Sequence, residues 1–283
     1  MIDNYKITLG MPVLNGEEHI HYALDSIFQQ SFKNFNMIIY DNASTDKTLS
    51  ICEKYKKKYN KIKIYKQKKR VSSIHNWMSI LKKTNSKYFL FCAHDDFYKG
   101  KKYLTNLVNK ISKNTIPFGS VQIIDNKNNF IKHLTNDRIY NYQGYRIYKR
   151  LKFFFTPSIF GKNNIIYGIH ERQHILNIFK SFKKKYENII HPDNYINYEV
   201  LKIKKVIPVK KVILYKRIRK QEENVTLLGS KRNKLSSLLY QLRMLLNYIR
   251  FSNIFEIIAI ILLTPIYILN ERIFVLIFKI INK

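Results

Sequence analysis

Lys87-Tyr88-Phe89-Leu90-Phe91-Cys92-Ala93-His94-Asp95-Asp96 is the stretch on which the fold turns. Tyr88 to Cys92 is a short apolar run, which reads as a buried strand. Two adjacent carboxylates stand just past its end. Working outward, three similar runs lie upstream. Ile7 to Leu14 ends in Pro12 and Asn15, a buried strand and its turn. Met37 to Tyr40 is stopped by Asp41-Asn42-Ala43-Ser44-Thr45-Asp46, and Ile62 to Tyr65 is a third strand. Between them, Glu17 to Phe28 carries Ile20, Leu24, Ile27 and Phe28 at helical spacing. Leu49, Cys52 and Tyr55 mark a second helix that Ser44 or Thr45 could cap. Ile74 to Leu81 reads as a third helix.

This alternation predicts a mixed, mainly parallel α/β sheet flanked by helices, of the doubly wound, Rossmann-like kind. Such sheets bind ligands at the carboxyl ends of their strands. Asn15-Gly16-Glu17, Asp41 to Asp46 and His94-Asp95-Asp96 all fall there, so topology alone predicts their convergence. After residue 100 the reading is coarser. Tyr103 to Ile111 reads as helical, and Phe118 to Ile124 with Phe130 to Leu134 as a hairpin around Asp125-Asn126-Lys127-Asn128-Asn129. Ile165 to Ile169 reads as a strand, His174 to Phe182 and Asp193 to Leu201 as helices, and Val206 to Tyr215 as a strand.

The last segment differs in kind. Ile254 to Leu269 and Ile273 to Ile281 are apolar runs separated by Asn270-Glu271-Arg272. Neither reaches the roughly 20 residues of a spanning helix. With Arg243, Arg250, Arg272, Lys279 and Lys283 around them, they suit a segment lying in a membrane interface. Packing on the domain or on a second subunit, as in a homo-oligomer, is the other reading. The expected division is residues 1–225, an α/β domain with halves at 1–100 and 101–225. Residues 226–283 form the helical C-terminal extension.

The chain of 283 residues carries 51 Lys and Arg against 19 Asp and Glu, a formal charge of +32. The lysines are spread along the whole length. A Lys-, Asn- and Ile-rich bias and attraction to an anionic membrane are favoured over nucleic acid, for which no recognition signature is present. Two cysteines, Cys52 and Cys92, exclude a disulfide scaffold and fit a reducing cytoplasm. The opening Met-Ile-Asp-Asn-Tyr-Lys lacks the layout of a signal peptide. A cytoplasmic protein, peripheral at the inner face of the cell membrane, is expected.

Adjacent carboxylates repel unless a cation or solvent offsets them. Hard divalent cations prefer such oxygens and share them with substrate phosphates. Asp95-Asp96 therefore reads as a metal–diphosphate site or, more blandly, as a solvated turn. Asp41 can accept hydrogen bonds from a base or ribose, or can build an Asx-turn. Asp193 can act as a base or cap the helix after it.

Ile7 to Glu18, Leu24 to Phe32, Asn34 to Thr48 and Lys87 to Asp96 resemble, in order and spacing, the opening of family 2 glycosyltransferases with the GT-A fold. More loosely, Ile166 to Arg172, His191-Pro192-Asp193, Val206 to Val209 and Tyr215-Lys216-Arg217 resemble the family's acceptor half. The resemblance implies an inverting transferase that uses a nucleotide-diphosphate sugar, commonly UDP-linked, with Mn²⁺ or Mg²⁺. Pro12, Leu14, Asn15 and Glu17 would line the nucleotide loop, and Asp41 and Asn42 the base. Arg70 would serve the diphosphate, Asp95 the ribose and diphosphate, and Asp96 the metal. Asp193 would be the catalytic base, with Glu171 and Asp125 in reserve. Leu14 stands where the family usually has an aromatic, Asn42 a second acid, Ala43 a Gly and Ala93 an acid. His75, His133 and His174 receive no role, and His94 has no assigned one. The expected acceptor is a polysaccharide or lipid-linked glycan. A catalytically inactive basic membrane- or polyanion-binding protein and a nucleotidyltransferase are the rival readings.

Overall fold

The computed structural model describes residues 6–133, 135–137, 142–156, 161–185 (side chains to 181), 192–218 and 245–265. In chain order the elements are β1 (Ile7–Val13), α1 (Ile20–Phe28), β2 (Phe35–Asp41), α2 (Thr48–Lys58), β3 (Ile62–Lys66), α3 (Ser73–Lys83), β4 (Tyr88–Phe91), β5 (Phe97–Tyr98), α4 (Tyr103–Val108) and β6 (Thr115–Ile124). They continue with α5 (Arg146–Phe155), a 3-10 helix (Lys162–Tyr167), β7 (His170–Glu171), α6 (Arg172–Lys185), α7 (Pro192–Val200) and β8 (Lys205–Arg217). Two further helices run over 245–250 and 254–265.

The main sheet has the order β3-β2-β1-β4-β7. The first four strands are parallel and β7 is antiparallel to β4. Alternate side chains of each strand enter opposite layers, as a pleated strand requires. Met37 and Ile39 join one core with Leu9, Leu24 and Leu104. Ile38 joins the other with Phe89, Phe91, Phe153 and Tyr195. Both faces are therefore covered, which is why these strands read as continuous apolar runs. Gly10 is needed here, because a Cβ would lie 2.3 Å from the ring of Phe89.

A second sheet has the order β5-β8-β6. β6 and β8 are parallel, with a register shift between Phe118 and Ser120. Two expectations are corrected here. The turn at 125–129 forms, with Asp125 N–H donating to Asn129 O at 2.9 Å. The partner strand expected at 130–134 is reduced to a bridge between Phe130 and Ile124, with Ile131 N–H donating to Ile123 O at 3.0 Å, while the continuous ladder of β6 is the one with β8. Residue 134 lies outside the described residues. The strand expected at 165–169 is instead mostly the 3-10 helix Lys162–Tyr167, which buries Ile165 and Ile166 without a sheet neighbour. The start of α2 also differs: its N-cap is Lys47, which makes no side-chain cap bond, and Asp46 Oδ1, rather than Ser44 or Thr45, accepts Thr48 N–H at 3.0 Å.

The expected 225/226 boundary and the apolar run at 273–281 lie outside the described residues. The segment 245–265, within the expected C-terminal extension, packs on α5 and α7. Tyr248, Phe251 and Ile260 enter the second core. Arg150, fully buried on α5, holds this corner together. Its guanidinium donates to both oxygens of buried Glu256 at 2.7 and 2.5 Å and to Phe251 O at 2.7 Å. Its Nε donates to Tyr198 O at 3.2 Å, and its Cζ lies 3.7 Å from the Tyr198 ring centroid.

Candidate functional site

β1, β2 and β4 end side by side, with Val13 opposite Asp41 and Gly10 opposite Phe91. The three polar loops leave from these ends and are stitched to one another. Asn15 N–H donates to Ser44 Oγ at 3.0 Å, and Asn15 Oδ1 accepts Thr45 N–H at 3.0 Å. Gly16 N–H donates to Thr48 Oγ1 at 2.7 Å. Glu17 N–H donates to Asp46 Oδ2 at 3.1 Å, while Glu17 Oε2 accepts Lys47 N–H at 2.8 Å. Burial raises the Asp46 pKa, but bonds from Thr48 and Glu17 outweigh it and hold the carboxyl below its usual range.

The third loop joins through His94. A Cβ on Gly16 would lie 2.5 Å from His94 Cδ2, so the imidazole rests on the first loop's glycine. That contact gives His94 a packing role that spacing does not reveal. Asn15 and Ala43 adopt left-handed φ values of 49° and 61°. A side chain there costs about 1–2 kcal/mol, a strain imposed by the reciprocal bonding of these loops.

Asp41 is buried at the end of β2, and Ser44 N–H donates to its Oδ2 at 3.1 Å. Asn42 clamps the next loop: its Nδ2 donates to Val71 O and its Oδ1 accepts Val71 N–H, both at 2.9 Å. Exposed Arg70 is thereby held one residue from Asn42's partner. Pro12 and Leu14 are half-buried at the exit of β1, opposite Tyr40 and beside Asp41's partner Val13.

Asp95 is half-buried and Asp96 is 4% exposed. Arg217 N–H donates to Asp96 Oδ1 at 2.9 Å, and Arg217 Nε donates to Asp95 O at 3.1 Å. The same guanidinium reaches Asp125 O and Asn128 Oδ1, so the end of β8 ties the acid pair to the 125–129 turn. Burial first, then the charge of Asp95, pushes the Asp96 pKa up to about 8. Among the described residues no group of three or more His, Cys, Asp or Glu could enclose a metal ion. Two carboxylates, one of them buried and destabilised as an anion, nevertheless fit a hard cation that completes its shell with diphosphate and water.

Tyr167 is a site residue that sequence reasoning misses. It lines a small cavity with Asp96, Cys92, Tyr98 and Leu214, and Lys216 Nζ lies 5.7 Å from its ring centroid. Burial raises the Tyr167 pKa; Lys216 opposes this, while Asp96, Asp193 and Asp95 add to it. One phenol is therefore within electrostatic reach of both the acid pair and Asp193, in the first turn of α7. His191 lies outside the described residues. The two reserve acids are engaged elsewhere. Asp125 Oδ1 accepts N–H from Lys127 and Asn129 within its own turn, both at 2.8 Å. Glu171 pairs with Lys204 at 2.6 Å, beside Tyr88 at the starting end of β4 and so away from the loops.

Residues 8–167, more than half of the chain, match the family model described as glycosyl transferase family 2. A relative from Methanococcus voltae, a dolichyl N-acetyl-alpha-D-glucosaminyl phosphate 3-beta-D-2,3-diacetamido-2,3-dideoxy-beta-D-glucuronosyltransferase, is 27% identical over 60% of this chain and 54% of its own length. The chain spans about half or less of the length of the curated relatives it matches. S. aureus TarS 1-349 in complex with UDP-GlcNAc matches at 17% identity and a TM-score of 0.55, over 82% of this chain and 69% of that one. Mannosyltransferase PcManGT from Pyrobaculum calidifontis, in complex with GDP-Man and Mn²⁺, matches at 13% identity and 0.54, over 80% and 61%. The solved structures share the GT-A-like fold.

Proposed function

Because the chain belongs to glycosyl transferase family 2, we propose that it transfers a sugar from a nucleotide-diphosphate donor, UDP-linked, to an acceptor hydroxyl with inversion. The observation that carries this reading is the stitching of the 15–17, 41–48 and 94–96 loops at the ends of β1, β2 and β4. Pro12, Leu14, Asn15 and Glu17 shape the nucleotide loop, and Asp41 faces the base with Asn42 placing the 66–71 loop. Arg70 offers charge to the diphosphate, and Asp95 contacts ribose and diphosphate. Asp96 is the protein's ligand for Mn²⁺ or Mg²⁺, which when bound neutralises charge developing on the leaving diphosphate. Asp193 takes the proton from the attacking hydroxyl. The acceptor is a glycan or lipid-linked glycan, met at the inner face of the cell membrane by a peripheral, cytoplasmic enzyme. The named complexes of the neighbours with UDP-GlcNAc and with GDP-Man and Mn²⁺ support donor and metal, and the Methanococcus relative's name supports a lipid-linked acceptor.

The test is a thermal-shift panel of nucleotide sugars with and without Mn²⁺, followed by turnover. A UDP-sugar should raise Tm only with the metal, and Asp96→Asn should abolish that shift and all transfer while leaving the unliganded Tm within a few degrees. An Asp96→Asn protein that transfers sugar normally would overturn the site assignment.

A further inference from the structure

The helix at 254–265 is inside out. Glu256 is its one charged residue and is 0% exposed, whereas Ile254, Phe255, Ile258, Ile261 and Leu262 are 61, 69, 49, 56 and 71% exposed. At helical spacing those five share one arc, and Glu256 and Ile260 lie on another. Rotation that would hide the apolar arc is blocked twice. Glu256 N–H donates to Asn253 Oδ1 and Asn253 N–H to Glu256 Oε2, both at 2.9 Å, a reciprocal cap of the helix start. The same carboxylate is held by Arg150 in the core. An apolar arc locked outward needs an apolar environment.

We propose that this arc docks on an anionic lipid bilayer, with the helix lying along the interface. Twelve residues span about 18 Å, against about 30 Å of hydrocarbon. No helix among the described residues is long and apolar enough to cross a membrane. The sequence on either side of the helix is basic: exposed Arg250 precedes it, and Arg272, Lys279 and Lys283 follow in the chain, outside the described residues. Anionic headgroups complement that pattern. A second copy of this chain does not, because pairing would bring together two molecules of formal charge +32. This surface rests on the peripheral placement proposed above and names the element that makes it, and its test is separate from that of the reaction, since lipid binding requires no turnover.

Co-sedimentation of the full chain with vesicles of phosphatidylglycerol and phosphatidylcholine, compared with phosphatidylcholine alone, tests it. Binding should require the anionic lipid and weaken with salt. The double variant Phe255→Glu/Leu262→Glu should bind at least about tenfold more weakly with an unchanged circular dichroism spectrum. A gentler variant, Phe255→Trp, should give a blue-shifted emission on vesicle addition that Trp77 of the unaltered protein does not. Undiminished binding by the double variant, no emission shift, or loss of a dimer rather than of lipid binding would overturn the proposal.

Discussion

At the scale of single residues, the acids separate by what already holds them. Asp46, Asp125 and Glu171 are consumed by loop, turn and ion pair. Asp193, in the first turn of α7, has no such engagement among the described contacts and lies within electrostatic reach of Tyr167 and, through it, of the acid pair. Asp193→Asn should therefore lower kcat by about 10²–10⁴-fold, the usual contribution of a general base. The Mn²⁺-dependent Tm shift with donor should be preserved, and Glu171→Gln should leave kcat near normal. Loss of rate in the Glu171 variant comparable to that in the Asp193 variant would reverse the assignment. His94 teaches a related lesson. Its neighbour Gly16 is 78 positions away, so nothing in the local pattern could show that the ring seats the 94–96 loop on the 15–17 loop.

At the scale of elements, the helix at 254–265 hangs on the Arg150–Glu256 pair. Breaking such a pair from one side strands a buried charge and costs about 3–5 kcal/mol. Glu256→Gln should lower the urea midpoint accordingly, and Arg150→Met combined with Glu256→Leu should recover much of the loss. A single variant as stable as the parent would show that the pair contributes little. The same elements show what the sequence reveals. The strands and helices from Ile7 to Phe91 are legible because β1, β2 and β4, the inner strands of a doubly covered sheet, are largely apolar, the edge strand β3 intersperses Ile62 and Ile64 with Lys63 and Lys66, and each strand is followed by its own turn. The stretch at 130–134 misleads because the neighbour of β6 is β8, some ninety positions downstream, while local turn chemistry suggests a hairpin. The run at 165–169 is apolar enough for a strand, yet its burial comes from packing on β6 and α7. In the candidate site, the acids and the loops are readable from their places after strands. Tyr167 and Arg217 are not, since their partners lie far away in the chain.

At the scale of the whole molecule, acid should be the weak side of stability. Burial lowers the pKa of both His133 and His170 to about 4, and that of His174 in the same direction. His170, wholly buried with Nε2 at 3.1 Å from Ile165 O, is neutral in the fold. Between the ordinary histidine value of about 6.5 and about 4, the unfolded chain binds protons that the folded chain refuses. Stability is thus complete above that window and is lost as pH falls through it, by up to about 1.4 kcal/mol per pH unit for a fully buried histidine. The growing positive charge of a chain already at +32 adds to the effect. Asp96, whose carboxyl burial holds above its ordinary range, binds a proton in the fold over the same window and opposes the trend, one carboxyl against three histidines. The urea midpoint should therefore still be lower at about pH 5 than at about pH 7, by less than the histidines alone would give, and a midpoint that is higher at about pH 5 would contradict it. The buried Arg150 carries one more consequence, for anyone trimming the gene. Composition invites a stop codon near 225, to discard greasy sequence and gain an easily handled enzyme. Such a product would lose Glu256, Phe251 and Tyr248 together. It would leave Arg150 with only the longer 3.4 Å contact to Glu199 in place of its close pairing with Glu256, so the excision meant to improve solubility would instead open the core.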